Sequence, residues 1–263
     1  MNHLPRVFDG APLAPPSGPR ADLEFRDLSP GDVLVVDLLP TKIKKYIPDW
    51  QALNWTPDSF VNFVTDKVIK VIHSVSWQKR EQRHLADDID YSHVLVVVGA
   101  SKDHIEIVDA VAPNVRRHVI SKDSFHDLFR KATCLRSPDD GVKGRLIQTT
   151  DSFANRDPKI MYPVISLKHI RAGLHALFDS ESSVCRNFDS FCQRNGYIDD
   201  NYMFCSHLVS EILDRAVGGQ CAEKDAGLVL PFQIISIAKN YGFTQSNMTL
   251  ATSQLPAPGW LRA

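Results

Sequence analysis

The feature that most constrains this chain is a pair of apolar segments separated by a short polar turn. The first, SHVLVVVG at 92–99, is apolar at nearly every position, which is typical of a central strand covered on both faces. The second, IEIVDAV at 105–111, alternates as a paired strand does. The polar residues SKDH between them predict a turn, and the two segments therefore predict an antiparallel hairpin inside a sheet.

Further strands and helices are predicted around this hairpin. Strands are predicted at 31–40, 114–120 and 133–136. Helices are predicted at 56–80, 123–131, 166–178, 182–194, 204–216 and 231–241. Residues 137–160 are polar, and we predict an irregular structure for them. Strands that precede helices, instead of alternating with them, predict an α+β fold in which helices pack on a central antiparallel sheet.

Composition shifts divide the chain into three parts. Residues 1–30 carry many Pro, Gly and Ala without periodicity, which predicts a flexible leader. A single domain is predicted over 31–245, with helical insertions near 41–90 and 137–200. Residues 246–263 are predicted to form a C-terminal tail.

Charge and cysteine content exclude several classes of protein. The 263 residues include 30 Lys and Arg against 31 Asp and Glu, and this balance argues against a dedicated nucleic-acid binder. No apolar run has the length of a membrane span, and the N-terminus lacks the features of a signal peptide. Five Cys in so long a chain argue against a secreted disulfide framework. We therefore expect a cytoplasmic protein by default, with export by a specialised secretion system as an open alternative and no prediction of oligomeric state.

Cys205 begins one of the predicted helices. It shares an apolar helical face with Leu208 and Ile212, whereas Ser206 and Ser210 are predicted to face outward. The N-terminus of a helix stabilises a thiolate and can bind an oxyanion, so Cys205 is a candidate nucleophile. The alternative is a small buried apolar side chain, the more common role of a Cys on such a face.

Two further candidates lie on the predicted hairpin. His93 opens the first strand, where an imidazole can act as a general base towards a neighbouring helix. A turn near Lys102 pairs Asp109 with Val94 or Leu95, close to the level of His93. Asp109 is then expected to orient the imidazole through Nδ1 and to stabilise its cation. Taken singly, both residues also suit plain structural roles, as a sheet-edge histidine and a turn-capping carboxylate.

Five short blocks together resemble the circularly permuted papain-like cysteine hydrolases of the NlpC superfamily. The branch in question contains the YiiX-like proteins and the lecithin:retinol acyltransferase-like enzymes. In chain order the blocks are Ser29–Leu34 (SPGDVL), Ser92–Val97 (SHVLVV), Asp109-Ala110, Cys205–Val209 (CSHLV) and Leu230–Ile234 (LPFQI). A His that precedes the Cys is the permuted order. The acid departs from the usual pattern, because Asp stands where Glu or a second His is common.

The resemblance implies an activity and a set of site residues. Cys205 is implied as the nucleophile, His93 as the base and Asp109 as the residue that orients His93. The N–H groups at the start of the helix would stabilise an oxyanion. The side chains of Asn201, Tyr202 and Ser206 are further candidates for oxyanion or substrate binding. No metal or other cofactor is implied.

The leading hypothesis is a hydrolase of the amidase or peptidase type that works through an acyl-enzyme on Cys205. The expected partner is a peptide, amide or acyl-bearing substrate. One alternative is an acyltransferase that passes a lipid or other acyl group through a Cys205 thioester. The other is a non-catalytic binding module on the same fold.

Two other clusters receive plain structural interpretations. Cys185 and Cys192 share a helical face and are expected to pack there, because a zinc site needs more ligands at compact spacing. Residues 116–118 (RRH) form a small basic cluster that is expected to be solvated.

Overall fold

A computed structural model describes most of the predicted domain. The described residues are 22–38, 91–111, 114–161, 171, 174–175, 181–194, 203–219, 229–248 and 250. The helix predicted at 56–80 and the insertion near 41–90 lie outside the described residues. Of the helix predicted at 166–178, the three described residues are helical.

The described residues form six strands and five α-helices. The strands are β1 (Val33–Leu38), β2 (His93–Ala100), β3 (His104–Val111), β4 (Asn114–Ser121), β5 (Phe129–Arg136) and β6 (Thr244–Asn247). The helices are α1 (Lys122–Leu128), α2 (Asp140–Ala154), α3 (Ser183–Arg194), α4 (Cys205–Val217) and α5 (Gln233–Asn240). The order of elements along the chain confirms the predicted α+β class.

The strands form one antiparallel sheet in the order β4-β3-β2-β1-β5-β6. The predicted hairpin of β2 and β3 therefore lies inside the sheet, as expected. Strand β6, with the sequence TQSN, joins as an edge strand on β5. No strand was predicted there, and β6 crosses the predicted boundary between the domain and the tail at 245/246. A polar edge strand buries little apolar surface, so its pattern carries no strand signal.

Both faces of the sheet are covered. Val94 and Val96 face a first apolar cluster that also contains Leu208 and Ile212 of α4. Leu95 and Val97 face a second cluster, with the aromatic rings of Phe25, Phe125 and Phe129. Because successive residues of β2 point to opposite faces, burial on both sides explains its continuous apolar sequence.

Helix α2 corrects the prediction of irregular structure at 137–160. Its N-cap is Asp139, whose carboxylate accepts hydrogen bonds from the backbone N–H groups of the first turn. Leu146, Thr150 and Phe153, spaced by four and three residues, form its buried face. Three buried residues make too narrow an apolar face to be recognised in a polar segment. The helical period was therefore not recognised in this sequence.

The packed structure extends beyond both predicted domain boundaries. Leu23 pairs in parallel with Met248, and Phe25 is buried in a short 3₁₀ turn. Leu28 is also buried in the second cluster. Residues 22–30, assigned to the leader by composition, therefore contribute core side chains, and the packing at the other end continues to Met248.

The Pro-Gly-Asp turn before β1 has a structural function. Gly31 has a φ of +89°, a conformation that favours glycine, and a Cβ there would lie 2.9 Å from the Cβ of Lys143. The next residue, Asp32, is fully buried and accepts hydrogen bonds from Nε and Nη2 of Arg136, each at 2.7 Å. This bidentate pair joins the start of β1 to the end of β5.

Candidate active site

Cys205 is the first residue of α4, and the chain reaches it through an extended N-cap residue. Phe204 has φ −92° and ψ 169°, and it supplies no side-chain hydrogen bond to the helix. The positive end of the helix dipole is therefore at the Cys205 backbone. Cys205 is buried, with 5% of its surface exposed to solvent.

The first two turns of α4 are buried on every side, which corrects the predicted orientation of two serines. Ser206 and Ser210 were expected to face outward, but both are buried. The Ser206 hydroxyl donates a hydrogen bond to the carbonyl oxygen of Val229, at 2.7 Å. The hydroxyl proton is thus directed to the protein backbone, and the role of Ser206 in oxyanion or substrate binding stays a prediction.

His93 and Asp109 lie on adjacent strands of the sheet. His93 is the first residue of β2, pairs with Val36 of β1 and is 6% exposed. Asp109 is fully buried in β3. The β2–β3 register pairs Val96 with Val108. Continued by one residue, it places Asp109 opposite Leu95, which is one of the two partners expected from the sequence.

The imidazole of His93 links Asp109 to Cys205. Its Nε2 lies 2.9 Å from Oδ2 of Asp109. The expected contact through Nδ1 was therefore wrong, because the other ring nitrogen faces the carboxylate. The Cys205 side chain lies close enough to the imidazole to raise the pKa of His93, through charge and hydrogen bonding. The structure thus brings together all three residues that the sequence singled out as a triad.

The charge of its neighbours keeps His93 protonated. Burial, the largest influence, lowers the pKa of His93 because it disfavours the cation. The charge of the Cys205 thiolate and the hydrogen bonds with Asp109 and Cys205 outweigh burial and raise the pKa to about 10. At neutral pH the imidazole is therefore a cation beside the ionised carboxylate of Asp109.

Asp109 stays ionised although it is fully buried. Burial raises its pKa, but the hydrogen bond and charge of His93 lower it, and the charges of His118 and Arg116 act in the same direction. The net result is a pKa of about 2. The Arg116 Nε and the His118 Nδ1 each lie 3.7 Å from Oδ1 of Asp109.

Arg116 and His118 are the site residues that sequence reasoning missed. They were expected to form a solvated basic cluster with Arg117, but their side chains are only 15% and 19% exposed. Strand β4 pairs Arg116 with Asp109 directly, and its alternation sends Arg117 to the opposite side, where it binds Glu106 and Asp151. The sequence did contain a signal for this. Successive residues of a strand face opposite sides of the sheet, so Arg116 and Arg117 could be placed on different faces.

Other candidates lie outside this cluster. Asn201 and Tyr202 fall outside the described residues. Cys185 and Cys192 are buried on α3, as expected of packed side chains. The Nε2 of His175 lies 3.1 Å from the carboxylate oxygens of Asp189 and makes a structural hydrogen bond there. Within the part of the chain that the structure describes, no three His, Cys, Asp or Glu side chains are grouped to hold a metal ion.

Comparison with protein-family profiles, with curated protein sequences and with solved structures finds no match to this chain. Among the helices within the described ranges, none combines the length and the apolar character required to cross a bilayer. The arrangement of the site is therefore the basis for a functional assignment.

Proposed function

We propose that this protein is a cysteine-dependent hydrolase of the amidase or peptidase type, built on a permuted papain-like fold. One observation carries the proposal: an imidazole that is hydrogen-bonded to a buried carboxylate lies close enough to a thiol at the start of a buried helix for that thiol to raise its pKa. A nucleophile, a base and a group that orients the base are the components of covalent acyl transfer. The His-before-Cys order of the resembling blocks supports the same assignment.

In the first step, the Cys205 thiolate attacks the substrate carbonyl carbon and forms a carbon–sulfur bond. The backbone N–H groups at the start of α4 stabilise the oxyanion of the tetrahedral intermediate. The His93 imidazolium then gives its proton to the leaving amine as the carbon–nitrogen bond breaks. A thioester on Cys205 remains, and Nδ1 is the ring nitrogen left for this transfer because Nε2 faces Asp109.

In the second step, a water molecule attacks the thioester carbonyl while neutral His93 accepts one of its protons. The carbon–sulfur bond breaks, the carboxylic acid leaves, and the thiolate–imidazolium pair is restored. Asp109 holds the ring in place through both steps and stabilises its cation. An amine or hydroxyl acceptor in place of water would make the same site an acyltransferase.

The test uses p-nitrophenyl acetate as a simple acyl donor. We expect a burst of p-nitrophenolate and, after acid quenching, one added acetyl group that peptide mapping locates on Cys205. The Cys205→Ala variant should lose both signals. The Cys192→Ser variant is the matched control, since that thiol is buried on α3 and should leave both unchanged.

Two outcomes separate the alternatives. If the folded wild type gains no acetyl group, or if Cys205→Ala retains the burst, the catalytic proposal fails and the binding module becomes the better hypothesis. If the acetyl group forms and is passed to an added amine in preference to water, the product is an amide and the protein is an acyltransferase.

A further inference from the structure

The two oxygens of the Asp109 carboxylate have different partners. Oδ2 lies 2.9 Å from Nε2 of His93, on the side of the proposed nucleophile. Oδ1 faces away from His93, towards Nε of Arg116 and Nδ1 of His118 at 3.7 Å each. The carboxylate therefore connects the proposed catalytic pair with a second pair of basic side chains on β4.

The position of Arg116 follows from the sheet. It stands directly opposite Asp109 in the antiparallel register, and cross-strand neighbours of this kind have side chains within reach of each other. Its side chain is 15% exposed, and that of Asp109 is fully buried. A charge pair with so little access to water is weakly screened, and its strength depends on both partners being present.

Arg116 and His118 differ in what they offer Asp109. A guanidinium is always charged in proteins. Burial lowers the pKa of His118, and the charges of Arg116 and His93 lower it further, although the charge of Asp109 opposes them. Arg116 is thus the permanent cation beside Oδ1. From His93 through Asp109 to Arg116 the charges alternate in sign.

We infer that Arg116 is a positioning residue, which holds the Asp109 carboxylate ionised and oriented so that Oδ2 faces His93. The inference rests on the proposed function, because it assigns Arg116 a part in that same site. Arg116 acts through Asp109 and is not placed on the substrate. The Nδ1 of His118 lies at the same distance from the same oxygen.

The test compares Arg116→Met with Arg116→Lys, and uses Arg117→Met as the control. Arg117 is on the same strand but binds Glu106 and Asp151 on the other side of the sheet. With p-nitrophenyl acetate, we expect Arg116→Met to slow acylation of Cys205 about ten- to a hundredfold, since a misplaced base reduces the rate by such factors. Arg116→Lys should recover part of that loss, and Arg117→Met should match the wild type.

A second readout does not depend on catalysis. The Nε2 proton of His93, hydrogen-bonded to a buried carboxylate, should give a downfield proton NMR signal that is absent in His93→Gln. We expect this signal to move upfield or to be lost by exchange in Arg116→Met, and to persist in Arg117→Met. A merely structural loss of stability would leave the signal unchanged in the folded protein.

The outcomes distinguish this inference from the proposed function. A wild-type rate and an unchanged His93 signal in folded Arg116→Met overturn the inference, while acetylated Cys205 in the wild type still supports the enzyme. If the wild type is not acetylated, the proposed function fails, and the NMR comparison still decides the link from Arg116 to His93. Should Arg116→Met not fold, Arg116→Gln provides the same comparison with a neutral polar side chain.

Discussion

His93 and Asp109 are diagonal neighbours on one face of the sheet, with 2.9 Å between Nε2 and Oδ2. The register of β2 and β3 places Leu95, two residues beyond His93, at the level of Asp109. A diagonal pair of this kind is within reach of a long or aromatic side chain. The ring of His93 therefore spans from the start of β2 to the carboxylate, and it leaves its other nitrogen on the side away from Asp109.

The ionised state of Asp109 predicts how stability depends on pH. Its pKa falls from 3.8 to about 2 on folding, so its charge stabilises the protein fully above about pH 4. That contribution, about 2 kcal/mol, is lost as the pH falls towards 2. We expect Asp109→Asn to lower the free energy of urea unfolding at pH 7, with the deficit shrinking between pH 4 and pH 2.

Asp140→Asn is the control for this measurement. Asp140 also has a lowered pKa, through its hydrogen bond with Lys143, but its side chain is 93% exposed. Water and salt screen such a pair, so its removal should leave the pH profile close to that of the wild type. A deficit in Asp109→Asn that stays constant from pH 7 to pH 2 would contradict the assigned ionisation of Asp109.

The Pro-Gly-Asp turn predicts a second stability effect. Asp32 is fully buried and receives two hydrogen bonds from Arg136 and a third from the backbone N–H of Ser29, at 2.8 Å. Asp32→Asn should lower the free energy of unfolding by about 3 kcal/mol, because it leaves a partly buried guanidinium without its counter-charge. The comparison is Glu211→Gln, which removes a more exposed pair with Arg215 and should cost less than about 1 kcal/mol. Equal urea midpoints for the two variants would refute this role.

Local periodicity predicted the elements that carry the triad. The hairpin of β2 and β3 and the helix that starts at Cys205 each bury a regular apolar face, and such faces leave a clear pattern in sequence. The helices at α4 and α5 were therefore predicted to within about two residues at each end, the usual uncertainty of element boundaries. The near approach of His93 and Asp109 followed from the short turn between their strands.

The remaining features of the site depend on contacts between residues that are distant in sequence and on side-chain torsions. Local sequence patterns do not contain that information. Arg116 and His118 lie against Asp109 only because β4 pairs with β3 in one particular register. The burial of Ser206 depends on Val229, which is distant in sequence, and on the packing of α5 against α4. Which nitrogen of His93 faces Asp109 depends on the side-chain torsions of the folded protein.

The charge of Cys205 predicts where His93 titrates. Burial lowers the pKa of His93, and the thiolate charge is the largest influence that raises it, to about 10. Cys205→Ser removes that charge and keeps a small polar side chain. We expect the NMR titration midpoint of His93 to fall by about one pH unit or more in this variant, as Coulomb energies at close range imply.

The control is His126, which is more exposed. Its pKa is set by burial and by the charges of Lys122 and Asp123, not by Cys205, so its midpoint should stay constant. Identical His93 midpoints in both proteins would argue against the contact.

The pairing of Cys205 with His93 predicts a further effect, on alkylation by iodoacetamide. The thiolate is the form that reacts with iodoacetamide. The proposed mechanism requires the imidazolium of His93 to stabilise that thiolate. His93→Ala should therefore slow alkylation of Cys205 at pH 6.5 by about tenfold or more, since each 1.4 kcal/mol of lost ion-pair energy is a factor of ten in the thiolate population. Peptide mass spectrometry measures the rate at each Cys separately.

Cys134 serves as the internal reference for this measurement. Burial holds the pKa of its thiol well above the ordinary range, so Cys134 should remain unlabelled in both proteins. Equal rates for Cys205 in folded wild type and His93→Ala would mean that the two side chains do not act as a pair, and the chain would then lack the activated nucleophile on which acyl transfer depends.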